Sequence, residues 1–347
     1  MFENIALQDL FDLQAKEKHT LIDVRSPKEF QETTIPGSIN IPIFTNEERA
    51  EVGTLYKKVS KEAAKKRGLE IFSKKLPDFI DSFKQIDTSM TVFCWRGGMR
   101  SKTAATVLDL MGIHVNRLEG GIRSYRKWVI HVLGKQDFRP ELFVLNGYTG
   151  TGKTALLKKL KQNGYPVMDL EGMAGHRGSI FGHIGREPSN QKNFDSALVQ
   201  TILRYQDEPF VLTEGESKRI GKVLLPDFLY QKKEAGFQIF INLPLNERIK
   251  IILDDYQPWS DPETFLEAFR IIKKHIHTPV AKQIDKDLQN ENYPNAIGLL
   301  LKYYYDPRYE HAIGNYPDDK KWLIDVNHID EAYEKILQRV KYPVSTS

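Results

Sequence analysis

Short apolar runs alternate with helical patterns over the first 135 residues of the chain. Residues 20–25, 90–93 and 115–118 are apolar runs of strand length, and residues 47–85 form a charged stretch with helical spacing. Strands that alternate with helices favour a parallel sheet covered by helices on both faces. The pattern therefore predicts an α/β domain over residues 1–135.

The second half of the chain repeats this alternation and then becomes mainly helical. Four apolar runs predict strands, at residues 142–145, 165–170, 209–214 and 237–243. Residues 246–318 are mainly helical, a late strand is expected at about 321–326, and a last helix at 329–340. The polar segment 134–140 closes with a proline, so we place the domain junction there and the second α/β domain at 140–347.

Composition narrows the class of protein. The chain has 347 residues with 40% hydrophobic and 28% charged positions, which fits two globular domains, and its formal charge of +4 is compatible with an anionic partner. Its single cysteine excludes an internal disulfide or a cysteine-rich metal site. Neither a secretory leader nor an apolar run of membrane-spanning length is visible, so we expect a cytoplasmic protein with no membrane partner.

The single cysteine, Cys94, opens a loop between a predicted strand and a predicted helix. Two glycines, Gly97 and Gly98, and two arginines, Arg96 and Arg100, lie within the next six residues. Free N–H groups at a helix N-terminus stabilise anions, including a thiolate, and the arginines add positive charge. We call residues 94–101 the cysteine loop and predict that Cys94 is a nucleophile. The alternative is an inert buried thiol.

A second anion-binding motif follows about fifty residues later. Residues 147–154 match the pattern of glycine, four residues, glycine, lysine and threonine, and they lie between an apolar strand and a helix, as that motif requires. We call this segment the P-loop. Its phosphate-binding candidates are Gly147, Gly150, Gly152, Lys153 and Thr154.

The first domain resembles the rhodanese family. The matching segments are residues 22–26, 35–42, 94–101 and 118–122. The cysteine loop departs from the sulfurtransferase pattern, because five residues separate Cys94 from Arg100 where ordinary sulfurtransferases of this fold have four. The phosphatase relatives of the fold use the longer loop, which makes a wider anion cradle.

A rhodanese-like domain fused to a P-loop domain resembles the tRNA 2-selenouridine synthases. Six segments of the second half also fit that family: residues 169–172, 176–179, 181–182, 188–194, 214–221 and 304–307. The resemblance implies two steps at the wobble 2-thiouridine of certain tRNAs. Geranyl diphosphate first geranylates the sulfur, and selenophosphate then replaces the geranylthio group with selenium.

The resemblance suggests a role for each loop. The P-loop would hold the diphosphate through its N–H groups and Lys153, with Arg177 as a further phosphate contact and Mg²⁺ possible on Thr154. Asp169, Glu214 and Glu216 are open alternatives for a carboxylate that assists the metal. Cys94 would handle selenium in an oxyanion pocket formed by Gly97, Gly98 and Arg100. We expect no tightly bound cofactor.

Two sets of residues are candidates for tRNA contacts. The first is a basic run in the charged helical stretch, and its alternative is a solvated helix face, because Glu51, Glu62 and Glu70 interleave. Trp95 could stack on a base or anchor the core. The basic candidates are Lys57, Lys58, Lys61, Lys65, Lys66, Arg67, Lys74 and Lys75, with Lys218, Arg219, Lys222, Lys273, Lys274 and His275 as a second group.

Other functions remain open from the residues alone. The P-loop could serve ATP or GTP hydrolysis, in a nucleotide-dependent sulfurtransferase or phosphatase that acts on small anions without RNA. A phosphatase would need a general acid, which Asp23 or Glu119 could supply. A regulatory module that only senses ligands is the third possibility. The residues do not indicate an oligomeric state.

Overall fold

The computed structural model describes residues 2–177, 182, 186–314 and 316–340. Residues 178–181, which include parts of two segments of the family resemblance, 176–179 and 181–182, lie outside this description. The chain divides into two compact units. Unit 1 comprises Met1–Lys135 and Asp195–Val199, and unit 2 comprises Gln136–Phe194 and Gln200–Ser347.

A five-stranded parallel sheet forms the centre of unit 1. Its spatial order is β1-β5-β4-β2-β3, and every neighbouring pair is parallel. The central strand β4 therefore ends at the middle of the sheet, and the cysteine loop follows it directly. The strands are β1 Glu3–Ile5, β2 His19–Asp23, β3 Ile39–Asn40, β4 Ser89–Phe93 and β5 Asn116–Leu118.

Helices cover both faces of this sheet, as the alternation of patterns predicted. Ile22 and Val92 point into one apolar core and Leu21 and Phe93 into the other, because successive strand residues face opposite sides. The helices are α1 Leu7–Lys16, α2 Pro27–Glu32, α3 Asn46–Lys58, α4 Lys61–Lys84, α5 Met99–Leu110 and α6 Gly121–Lys135.

Unit 2 contains a second five-stranded parallel sheet, in the order β12-β11-β6-β8-β7. The strand that leads into the P-loop, β6, lies in its centre. A two-stranded hairpin, β9 with β10, was not predicted because each strand has only two residues. The strands are β6 Glu141–Gly147, β7 Val167–Met168, β8 Phe210–Glu214, β9 Arg219–Ile220, β10 Val223–Leu224, β11 Phe237–Asn242 and β12 Lys321–Asp325.

The strand predicted over residues 165–170 is shorter than expected. It ends at Met168, because the Asp169 carboxylate accepts a hydrogen bond from the Gly172 N–H at 2.7 Å and starts a helix. Residues 195–199 of α9 belong to unit 1. The helices of the second half of the chain are α7 Lys153–Gln162, α8 Leu170–Ala174, α9 Gln191–Tyr205, α10 Asp227–Ala235, α11 Leu245–Tyr256, α12 Pro262–Ile272, α13 Thr278–Gln289, α14 Tyr293–Leu300, α15 Asp306–Ile313 and α16 Ile329–Arg339.

The mainly helical region has its own apolar core. Phe265, Phe269, Ile284 and Leu300 lie in it, whereas Leu145 and Ile241 of the sheet lie in a separate one. A π-helical turn, Leu301–Tyr305, connects α14 to α15. Among the described residues, no helix combines the length and the apolarity that crossing a bilayer requires.

Candidate functional site

The P-loop connects β6 to α7 through glycines with left-handed backbone conformations. Gly150 has φ +83° and Gly152 has φ +73°. A Cβ atom on Gly150 would lie 2.7 Å from Ile252 Cδ1 and 2.9 Å from the Arg248 carbonyl oxygen, so only glycine lets the loop lie this close to α11. The motif identified in the sequence thus has the strand–loop–helix setting that phosphate binding requires.

The Lys153 ammonium folds back over this loop. Its Nζ donates hydrogen bonds to the carbonyl oxygens of Gly147 at 2.9 Å and Tyr148 at 3.4 Å. These partners are neutral, so the positive charge of Lys153 is not cancelled by an ion pair with them. A bound phosphate group would meet an uncompensated cation together with the N–H groups at the start of α7.

A buried ion pair fixes the back of the P-loop. Arg248 donates from Nε to the Thr149 carbonyl oxygen at 2.9 Å and from both terminal nitrogens to the Asp306 carboxylate, at 3.0 and 2.6 Å. The Arg248 side chain is buried, and it also lies over the Tyr148 ring at 4.8 Å. Asp306, part of the segment 304–307 that the family resemblance includes, therefore positions the loop through Arg248.

A cavity of about 480 Å³ opens in front of the P-loop. One part of its wall is polar or ionisable: Lys153, Thr154, Glu171, Arg177, Glu216, Asp255 and Arg308. The other part is aromatic: Tyr256, Tyr304, Tyr305 and Tyr309. Such a cavity can hold a ligand with a phosphate group at one end and an apolar group at the other.

Two arginines make cation–π contacts with tyrosines of the aromatic wall. Arg177 lies 4.7 Å from the Tyr256 ring centroid, and Arg308 lies 3.6 Å from that of Tyr304. From the sequence, packing is favoured over base stacking for the three consecutive tyrosines 303–305. Tyr303 is 45% exposed and does not fit this prediction, whereas Tyr304 and Tyr305 do. Both are buried, and both also line the cavity, which the sequence did not indicate. Arg177 lines the cavity, and its role as a phosphate contact stays a prediction.

A carboxylate that the sequence did not single out contacts the P-loop. The Thr154 hydroxyl donates to Glu171 Oε2 at 2.8 Å, and Glu171 is buried. Asp169 caps α8 instead, and the fully buried Glu214 accepts from the Leu170 N–H at 2.9 Å. Of the three predicted carboxylates, only Glu216 lines the cavity. The signal in the sequence that could have identified Glu171 is its position, two residues after Asp169, the cap of α8.

The environment of Glu216 favours its protonated form. Burial raises the pKa of Glu216 to about 8, and the neighbouring Glu171 carboxylate adds to this shift, while the charge of Lys153 opposes it. Burial and the charges of Asp169 and Glu171 also raise the pKa of Glu214 well above its usual value. The P-loop cavity therefore holds fewer negative charges near neutral pH than its carboxyl groups suggest, which favours a polyanionic ligand.

We predict a pH-dependent stability from Glu216. Between about pH 4.5 and pH 8 the folded protein keeps a proton that the unfolded chain has released, so the free energy of unfolding falls as the pH rises. Glu216→Gln removes this loss, so at pH 8.5 the free energy of unfolding of the variant should exceed that of wild type by about 4 to 5 kcal/mol, and at pH 4 the two should be equal. Urea unfolding without divalent cations at both pH values measures the difference.

The control for this experiment is Glu334→Gln, which neutralises an exposed carboxylate on α16. It should leave the dependence of stability on pH as it is in wild type. Parallel curves for wild type and Glu216→Gln would show that Glu216 has an ordinary pKa, and the account of its protonation would be wrong.

The residues beside the P-loop fit a magnesium ion. Thr154 Oγ1 and Glu171 Oε2 are hard oxygen donors 2.8 Å apart at the start of α7. Within the described parts of the chain, no group of three or more His, Cys, Asp or Glu side chains is arranged to hold a metal ion. Magnesium usually takes one or two protein ligands and completes its shell with water and substrate phosphates, so Thr154 and Glu171 are the residues that would hold it.

The cysteine loop of unit 1 forms a cradle of backbone N–H groups. None of the N–H groups from Trp95 to Arg100 donates a hydrogen bond within the part of the chain that the structure describes. Gly97 has φ +64°, and its Cβ would lie 2.8 Å from the Leu118 carbonyl oxygen, so this turn requires glycine. A Cβ on Gly98 would meet no atom within 4 Å, so the loop is open on that side.

Cys94 lies at the base of this cradle. Its side chain is only 3% exposed, and its Sγ lies 3.2 Å from the Ser101 hydroxyl, an interaction in which either group can donate. The thiol is thus buried beneath the loop rather than presented on the surface. The N–H groups of the loop that follows the sulfur, unpaired in the described structure, would be available to a small anion above Gly98.

Arg100 was predicted to help form the oxyanion pocket, but its guanidinium group is already ion-paired. It forms a two-pronged ion pair with Glu29, in which Nη2 lies 3.1 Å from Oε1. Burial raises the pKa of Glu29, but the hydrogen bonds and charge of Arg100 outweigh this effect and leave it below its usual value. Glu29 is the third residue after the Ser26 cap of α2, so the capping sequence also supplies the partner of Arg100.

Two of the alternatives left open by the sequence are decided here. Asp23 is fully buried and pairs with Arg25, whose Nη2 lies 2.6 Å from its Oδ2, so it is unsuited to act as a phosphatase general acid. Trp95 is 39% exposed and is therefore not a core anchor. Two members of the basic run are neutralised by ion pairs within unit 1: Arg67 pairs with Glu51 and Glu70, and Lys75 pairs with Glu48.

These features define a two-domain protein that joins a rhodanese-like cysteine loop to a P-loop cavity. Two family models match the chain: the rhodanese-like domain over residues 6–127, and the tRNA 2-selenouridine synthase AAA domain over residues 140–277. The chain belongs to the tRNA 2-selenouridine synthase family.

Curated relatives cover most of the chain. The tRNA 2-selenouridine synthase of Bdellovibrio bacteriovorus is 36% identical over 333 residues, spanning 83% of this chain and 87% of that protein. The protein of the same name from Hydrogenovibrio crunogenus is 33% identical over 344 residues, spanning 90% and 91%. That from Nitrosomonas eutropha is 31% identical over 340 residues, spanning 83% and 87%.

Proposed function

We propose that this protein converts the wobble 2-thiouridine of tRNA to 2-selenouridine, using geranyl diphosphate and then selenophosphate. The observation that carries the proposal is the presence in one chain of a cysteine loop and a P-loop cavity with an aromatic wall. The names of the relatives support tRNA and selenium as the substrate and the transferred element. The cavity supports a phosphate ester with an apolar tail.

The first step is assigned to the P-loop cavity. The sulfur of 2-thiouridine attacks C1 of geranyl diphosphate, the S–C bond forms, and the C–O bond breaks with its electron pair leaving on the diphosphate. The N3 proton of the base is released to water. Negative charge grows on the leaving diphosphate, so Lys153, the N–H groups of the loop and a magnesium ion on Thr154 and Glu171 would lower the barrier.

The cavity also has room for the prenyl tail. The rings of Tyr256 and Tyr305 border both the main cavity and a smaller apolar one of about 20 Å³, whose other walls include Ile252, Phe265 and Leu300. Side-chain movement there would extend the aromatic wall into the apolar core of the helical region. A purely hydrophilic ligand would gain nothing from such a wall.

The second step is assigned to the cysteine loop. The selenium of selenophosphate bonds to C2 of the geranylated base, the C2–S bond breaks, and geranylthiol leaves with a proton. Water then cleaves the P–Se bond, which yields phosphate and 2-selenouridine protonated at N3. Cys94 would act as a nucleophile in this exchange: its thiolate would bond to C2 as geranylthiol leaves, and the C2–Sγ bond would break, returning the thiolate, when the selenium of selenophosphate bonds to C2. The oxyanions of the selenophosphate would lie on the N–H groups above Gly97 and Gly98.

The test supplies each substrate in turn to the purified protein. We expect a tRNA that carries 2-thiouridine to gain a geranyl group with geranyl diphosphate, and to gain selenium only when selenophosphate is added as well. Mass spectrometry of the digested nucleosides measures both products. If neither product forms while ATP or GTP is hydrolysed at a rate independent of tRNA, the proposal fails and the small-anion alternative replaces it.

A further inference from the structure

A groove of about 490 Å³ lies in unit 1 beside the cysteine loop. Helices α3 and α4 form its two sides, and the first turn of α5 closes one end with Met99, Arg100 and Thr103. We call it the α3–α4 groove. Since α5 begins at Met99, within the cysteine loop, a ligand in this groove would lie next to the proposed selenation site.

The floor and walls of the groove are apolar. Phe44 and Phe72 are buried beneath it, whereas Tyr56, Leu69 and Met99 line it with 54%, 67% and 57% of their side chains exposed. Large apolar side chains exposed together around a concave surface favour the binding of an apolar group. The exposure is maintained by Gly53 and Gly68, which lack side chains where the two helices face the groove.

Cations surround this apolar surface. Lys57, Lys61 and Lys65 are exposed on the groove, and within the described residues none of them forms an ion pair. Other cations of the same helices are neutralised, as Arg67 is by Glu51 and Lys75 is by Glu48. Three lysines whose charge no carboxylate neutralises in the described structure therefore line the groove.

An apolar floor with a cationic rim suits an apolar group attached to a polyanion. We propose that the α3–α4 groove binds the prenyl tail of the S-geranylated nucleotide, while Lys57, Lys61 and Lys65 contact phosphates of the same RNA. This inference rests on the proposed function, because it names the site at which the intermediate of that reaction is recognised. The prenyl group thereby serves to hold the base at the cysteine loop, in addition to being the leaving group.

The proposal predicts that the geranyl group increases the affinity of RNA for the protein. The probes are two anticodon stem-loops of one sequence, one with 2-thiouridine and one with its S-geranyl derivative, and the measurement is the ratio of their dissociation constants. We expect wild type to prefer the geranylated stem-loop at least about tenfold. Prenyl diphosphates are left out, and inorganic diphosphate at a saturating concentration occupies the P-loop cavity throughout.

Gly53→Leu tests the groove itself. A Cβ on Gly53 would meet only the flexible end of Arg49, so the variant should fold, and the leucine would fill the space between α3 and α4. The preference for the geranylated stem-loop should fall to about twofold or less. The matched control is Thr54→Leu, which adds the same side chain at the next position of α3, outside the groove, and should keep the preference.

Two further variants separate the apolar and the charged contributions. Leu69→Ser should reduce the preference without filling the groove, which keeps the test valid if Gly53→Leu does not fold. Lys61→Ala should raise the dissociation constants of both stem-loops by the same factor and leave the ratio of the two constants unchanged. Equal affinities of wild type for the two stem-loops, or a preference unaffected by Gly53→Leu and Leu69→Ser, would overturn the proposal.

The failure of this proposal can be told from failure of the proposed function. Selenation of a supplied S-geranylated tRNA by wild type shows that the reaction occurs, whatever the groove does. The selenation rates of wild type and Gly53→Leu are compared at one subsaturating concentration of that tRNA. If wild type selenates it and Gly53→Leu does so at the same rate, only the groove assignment is wrong. If wild type does not selenate it, the proposed function is wrong.

Discussion

Replacing Lys153 by alanine is expected to slow geranylation roughly 10²–10³-fold. Lys153 is the cation that lies over the P-loop, with its Nζ 2.9 Å from the Gly147 carbonyl oxygen and no carboxylate among its hydrogen-bond partners in the described structure. It would contact the diphosphate as the C–O bond breaks and negative charge grows. Its loss should lower kcat more than it raises KM, because the interaction strengthens in the transition state.

The measurement is the initial rate of geranyl transfer to 2-thiouridine tRNA at several concentrations of geranyl diphosphate. Lys161→Ala, an exposed lysine further along the same helix, is the matched control and should behave as wild type. Selenation of tRNA that is already geranylated should survive in Lys153→Ala. If Lys153→Ala geranylated tRNA as fast as wild type, the P-loop would have no role in geranylation.

Replacing Cys94 by alanine is expected to abolish selenation, with a loss of at least about 10³-fold, and to spare geranylation. Cys94 is the sole cysteine of the chain, so no other thiol can take over its chemistry. The substitution removes one sulfur atom from a buried position in contact with Ser101, and the sheet and cradle should persist. Geranylated tRNA should therefore accumulate when both small substrates are present.

Digestion of the tRNA and mass spectrometry of the nucleosides measure both products from one reaction. Ser101→Ala is the matched control: it removes the neighbour of the sulfur but keeps the thiol, so selenation should fall by much less than in Cys94→Ala. If Cys94→Ala and Lys153→Ala lost the same step, the division of work between the two loops would be refuted. Full selenation by Cys94→Ala would leave the cysteine without a chemical role.

The sheets and the two anion-binding loops were predictable because their determinants are contiguous in the sequence. Alternation of apolar runs with helical patterns gave the α/β class and most of the strands. The glycines of the P-loop and Gly97 of the cysteine loop adopt backbone conformations that other residues rarely reach, so their spacing identifies the loops without knowledge of the fold. The short strands β1, β9 and β10 were missed, because two or three residues carry no periodicity.

The carboxylate beside the P-loop could not be chosen from the sequence. Asp169 and Glu214 both end apolar strands, which made them the natural candidates, yet one caps α8 and the other is fully buried behind it. Glu171 contacts Thr154 only because α8 turns it towards the start of α7. A two-residue difference along the chain reverses the direction of a side chain, and a local pattern does not fix that direction.

The sequence by itself determined where the two anion-binding loops lie, since a glycine-rich turn between a strand and a helix creates an anion site from neighbouring residues alone. Only the tertiary structure decided what surrounds those sites. Arg248 and Asp306, 58 residues apart, meet behind the P-loop, and Tyr56 of α3 and Leu69 of α4 meet across the α3–α4 groove. The physical reason is that cavity walls consist of side chains brought together by packing, whereas a loop depends on the backbone conformation of consecutive residues.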